Sequence, residues 1–149
     1  MRDGTRRRHE RDIVLPAEGA AVFDFEDFAD GLAFLQPLDR RRIKVAGSEI
    51  LDNIVKHASP LEGGKLRIRA SLRDDSILLA FYFRSPGFAA FARGEAVKDE
   101  SSEAPGRREP LFDPTRRRWR GIGLVMCRNI ARRLTFRPGT LVDRIFLEF

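Results

Sequence analysis

Four side chains able to hold a metal ion and an anion sit close together in the first half of the chain: Glu49, Asn53, Lys56 and His57. On an α-helix each residue advances by about 100°, so the four fall on one arc of roughly 100°. A carboxylate, an amide oxygen and two potential cations are groups that could hold a divalent cation and its phosphates. The same four residues would also suit a solvated helix face. The elements that carry them must decide between the two.

The spacing of Ile43, Gly47, Ile50, Leu51, Ile54 and Ala58 predicts a helix over 41–58, with the four polar residues on the border of its apolar stripe. Asp39 can cap its start and Pro60 marks its end. Upstream, Phe25, Phe28, Leu32 and Leu35 recur at helical intervals among acidic residues, predicting an amphipathic helix over 20–35 that closes near Pro37. Ile13-Val14-Leu15 before Pro16 reads as a short edge strand. Residues 1–11 read as a basic flexible tail, and 12–149 as one domain.

After the two helices the period changes. Residues 65–73 alternate strictly between apolar and basic, which predicts a strand with one buried and one wet face. Asp74-Asp75-Ser76 is a turn, and the apolar run 77–83 reads as a central strand, broken by Ser85-Pro86-Gly87. Between Arg93 and Arg118 the composition shifts to Gly, Ser, Glu, Pro and Arg with little periodicity, as in a lid or mobile loop. Gly121-Ile122-Gly123-Leu124 then heads an apolar helix, where backbone N–H groups can approach an anion closely. That helix should bury Leu124, Cys127 and Ile130. Two closing strands, 135–136 and 144–149, turn at Pro138-Gly139-Thr140. The order of elements predicts a two-layer α/β sandwich: a mixed, mostly antiparallel sheet with three principal helices on one face.

The formal charge is +6 and the isoelectric point near 10.4, which permits nucleic-acid or acidic-protein partners. Arg116-Arg117-Arg118-Trp119-Arg120 could stack on bases, but one short cluster makes nucleic acid the less favoured partner. The single Cys127 cannot form an intramolecular disulfide and suits a reducing compartment. With no apolar leader in 1–12 and no run of membrane-spanning length, a soluble, cytoplasmic protein is expected.

The series Glu49-x-x-x-Asn53-x-x-x-His57, a strand hairpin, a long variable segment, Gly121-x-Gly123-Leu124 and a final strand pair resembles the GHKL, or Bergerat-type, histidine-kinase-like ATPase fold. Within it, the chain is most similar to the single-domain anti-sigma-factor serine/threonine kinases of bacterial partner switching, over Ile13 to Phe149. The resemblance implies ATP and Mg as cofactors, Glu49 as general base and Asn53 as magnesium ligand. Lys56 or His57 would border the phosphates, and Gly121 and Gly123 would close the backbone over them. Thr140 matches, loosely, a threonine near the adenine. Residues 93–118 would be the ATP lid. A sigma factor, an anti-anti-sigma antagonist or both would be the partners in transcription regulation, with a homodimer compatible.

The chain departs from this pattern at the Asp-x-Gly-x-Gly box that follows the central strand. Phe83 stands at the Asp position, Ser85 at the first Gly, and only Gly87 remains. Loss of the buried acceptor for the adenine amino group should weaken nucleotide binding and base selectivity. Restoring it, as Phe83→Asp with Ser85→Gly, should recover affinity if the rest of the pocket is intact. Two functional classes are thus expected: a weakly ATP-binding serine kinase and anti-sigma factor, or a non-catalytic regulator on the same fold.

Overall fold

A computed structural model describes the backbone of residues 8–57, 64–101, 111–113, 118–120 and 122–149. In chain order the elements are β1 (Arg8–Pro16), α1 (Ala21–Asp30), α2 (Pro37–His57), β2 (Lys65–Arg73), β3 (Ser76–Phe83) and α3 (Phe88–Ser101). They continue with β4 (Leu111–Asp113), β5 (Arg118–Arg120), α4 (Ile122–Ile130), β6 (Arg133–Arg137) and β7 (Asp143–Glu148). Five strands form one sheet in the order β1-β2-β3-β7-β6, and β4 pairs with β5 in a separate ribbon. No helix among the described residues is long and apolar enough to cross a membrane.

Every described pairing is antiparallel, which corrects the mixed sheet expected from the sequence. β2–β3 and β6–β7 are hairpins, and the returning β7 runs against β3. Alternation gives the sheet one buried face, on which Ile68, Leu79, Phe81 and Leu147 are fully enclosed. The helices pack on that face. The Phe25 ring of α1 lies 6.2 Å from Phe81, and Gly47 lets α2 press directly against Phe25 and Leu79, where a Cβ would overlap the ring. On α4, the Cys127 thiol donates to the Ala46 carbonyl of α2 at 3.3 Å. Burial pushes that thiol up to about 12, so Cys127 is a packing residue, as its place on the helical stripe predicts.

Three boundaries differ from expectation, each for a local reason. α1 stops at Asp30 because Gly31 ends it, donating its N–H to Asp27 and accepting the Arg11 guanidinium on its carbonyl. Leu32 and Leu35 are still buried, but from a turn rather than a helix. α2 begins at Pro37, whose fixed φ suits a first helical turn, ahead of the Asp39 cap read from sequence. β1 starts at Arg8, so residues 8–11 belong to the sheet rather than to a tail. Asp12 accepts from Arg67 and Arg69 of β2, and His9 stacks on Phe34 at 5.6 Å.

A helix beyond the three expected, α3, is absent from the sequence reading and occupies the start of the segment expected to be a lid. Phe88 opens it by packing edge-on against Phe83 at 5.0 Å and facing Phe136 of β6 at 6.2 Å. Of the rest of that segment, Leu111–Asp113 and Arg118 belong to the β4–β5 ribbon, and residues 102–110 and 114–117 lie outside the described residues.

The attachment of β1 sets a pH dependence. Arg69, then Arg67, hold the Asp12 carboxyl below its ordinary value of 3.8. A carboxyl depressed in the folded state stabilises it above its unfolded pKa, and that contribution is lost as pH falls through the folded one. Amide exchange in β1 should therefore accelerate, relative to β3, when pH drops below about 4 at low salt. Equal protection of both strands across that range would show that the Asp12 pairs do not anchor β1.

Candidate functional site

Glu49 and Asn53 lie one turn apart on α2, as their spacing requires, and both are half-buried. The first turn of α4 runs against them. A Cβ at Gly123 would overlap the Glu49 carboxylate, so a larger residue there would push the Glu49 side chain out of its present place against α4. The carboxylate and the amide make no side-chain hydrogen bond to any described residue. A half-buried acid and amide left open, beside the amide end of a nine-residue helix, form a small polar corner between α2 and α4.

Other residues of the sequence-predicted set stand differently. Lys56 is exposed, with its ammonium 2.7 Å from Asp52, so its charge is shared on the surface rather than turned toward Glu49. His57 ends α2, and its side chain, like all of Gly121, lies outside the described residues. Gly87 lies exposed in the turn before α3 with open space where a Cβ would go, so nothing local requires a glycine there. Thr140 is exposed in the β6–β7 turn. Among the described residues, no group of three or more His, Cys, Asp or Glu side chains is arranged to hold a metal.

At the end of β3 the structure contains a carboxylate that sequence reasoning missed. Phe83 is directly paired with Asp143 of β7, so both side chains point to the helix-covered face. Asp143 is only 5% exposed. One of its oxygens accepts the Ser85 N–H at 2.8 Å and the other the Gly139 N–H at 3.1 Å. It clamps the chain leaving β3 to the turn entering β7. The signal was present: Asp143-x-Ile145-x-Leu147 puts a carboxylate in phase with two core residues, and a buried carboxylate needs partners. No protein-family model matches the chain, and no curated protein matches it either.

Aromatic rings fill the space beside this clamp. Phe83 is 4% exposed and meets Phe88 edge-on, while Phe88 and Phe91 both contact Phe136. Next to them, the buried Glu95 of α3 faces Arg128 of α4 at 3.5 Å, and the Arg128 guanidinium lies over the Phe136 ring at 5.9 Å. This second polar pair also escaped the sequence reading, because α3 has no apolar periodicity to announce which face is buried. It fixes α3 to α4.

The places to which the resemblance assigns the phosphates and the base thus differ in kind. Residues around Glu49, Asn53 and Gly123 fit a hydrated cation and phosphate oxygens. Residues around Phe83, Phe88 and Phe136 do not fit a purine, since rings already occupy the buried face and both described carboxylates there are engaged, Asp143 by two backbone N–H groups and Glu95 by Arg128.

Proposed function

We propose that this chain is a regulatory domain of the GHKL type, related in role to anti-sigma factors, which acts by binding a partner protein and has lost adenine recognition. The reading is carried by one contrast. The α2/α4 corner keeps an unengaged carboxylate and amide beside a glycine whose missing Cβ leaves room for the Glu49 carboxylate, while the surroundings of Phe83 are packed with phenylalanine. A nucleotide site needs both ends, because binding of the base supplies selectivity that phosphate contacts lack.

The kinase reading draws its support from the same corner. Mg-ATP, when bound, would supply a transferable phosphoryl group. The Asn53 amide oxygen would face the cation, and the Glu49 carboxylate would accept the proton of a serine hydroxyl brought by the partner. The Gly123 backbone would lie along the phosphates.

Calorimetric titration with ATP, GTP and inorganic tripolyphosphate in the presence of magnesium separates the two. Affinities within about tenfold of one another, all weakened by Asn53→Ala, are expected for a site that retains its phosphate end alone. Tight, adenine-selective binding would overturn the regulator reading in favour of the kinase, and Glu49→Gln should then abolish phosphorylation of the partner.

A further inference from the structure

The face of the sheet opposite the helices has a composition of its own. Its strand register lines up Val14, Arg67, Tyr82, Arg144 and Arg137 in one row across all five strands, with Phe146 in the adjoining row. Glu10, Asp12 and Glu148 are the described carboxylates on this face, and each is already paired with an arginine: Arg8 and Arg69, Arg67 and Arg69, and Arg133. Among the described residues Arg137 and Arg144 have no ion pair, yet they are directly opposed on neighbouring strands. Like charges in that position destabilise a sheet. Both are exposed, and an anion lying across β6 and β7 would relieve the repulsion.

The aromatic residues in this row make the anion's chemistry more specific. Tyr82 and Phe146 are half-exposed at the centre of the face and meet at right angles, 6.4 Å between centroids. The Arg137 guanidinium lies over Phe146 at 5.7 Å. Rings between arginines on an open antiparallel sheet offer stacking surface for bases and forked donors for phosphates. An acidic protein would use the arginines and leave the rings without a special role.

We propose that the outer face of the sheet, from β3 through β7 to β6, binds single-stranded nucleic acid. The surface is separate from the α2/α4 corner and does not depend on whether nucleotide binds.

The test is fluorescence anisotropy of the full chain with a labelled oligothymidylate of about sixteen nucleotides, enough for one site. Polyglutamate of matched charge serves as the competitor. The oligonucleotide should bind, with affinity falling as salt rises. Arg137→Gln with Arg144→Gln should reduce the log–log salt slope by about 1.4, two phosphate contacts on a single strand. Arg41→Gln with Arg42→Gln, on α2 and equal in charge, should change it little. Tyr82→Leu with Phe146→Leu should weaken binding by at least about tenfold while leaving the slope in place. The exposed Arg144→Gln alone provides a variant with no core contact to lose. Polyglutamate competing as well as the oligonucleotide would assign the face to an acidic protein and overturn the proposal. So would a folded ring variant with unchanged affinity, or no binding at low salt.

Discussion

Asp143→Ala is expected to lower the unfolding free energy by about 2–5 kcal/mol, since it strips the partners from two backbone N–H groups at once. The Ser85 N–H is buried and would lose its carboxylate acceptor, whereas that of Gly139 lies in an exposed turn that water can reach. Asp143→Asn should recover part of the loss, because its amide oxygen can still accept one of the two bonds. Urea denaturation measures the effect, with Thr140→Ala in the same exposed turn as a reference near zero. A midpoint for Asp143→Ala equal to that of the reference would show that the carboxylate does not clamp the β3 and β7 ends.

Phe83→Asp with Ser85→Gly should cost more than 3 kcal/mol and bring no gain in ATP affinity. The sequence alone predicts the reverse, a rescue of nucleotide binding. The reason for the change lies in the pairing of Phe83 with Asp143. A new carboxylate at 83 would be buried beside an existing one, and the edge-on contact with Phe88 would be lost. Thermal melting of the double variant with and without Mg-ATP distinguishes the outcomes. A variant as stable as the parent, further stabilised by ATP but not by GTP, would restore the rescue expectation.

Most of the architecture could be read from the chain because its elements are strongly periodic. The stripe from Ile43 to Ile54 and the alternation from Lys65 to Arg73 each admit one burial pattern, and the structure has both. The juxtaposition of Glu49 with the glycine-headed helix was likewise foreseeable, from a motif order rather than from any local preference. What could not be read was set by contacts distant in sequence. α3 has scarcely any amphipathic bias, so its helicity depends on the landing of Phe88 against Phe83 and Phe136 and on the pairing of Glu95 with Arg128. Asp143 was missed because an aspartate after a turn is usually read as a wet residue, and only the phase of β7 turns it inward. The end of α1 fell to a glycine whose effect depends on Arg11, twenty residues earlier in the chain.

The place of β1 in the sheet order has a kinetic consequence. β2 and β3 meet across a two-residue turn, with Asp74 at a φ of 54°, so their pairing needs almost no loop closure and can form within about 1–10 μs. β1 has no such route: Pro16 must find Lys65 with both α1 and α2 intervening. Closing that span costs entropy before any ladder bond forms. β1 is therefore the natural last strand to join on folding and the first to leave on partial opening, which makes the N-terminal strand the segment most readily exchanged between chains at high concentration.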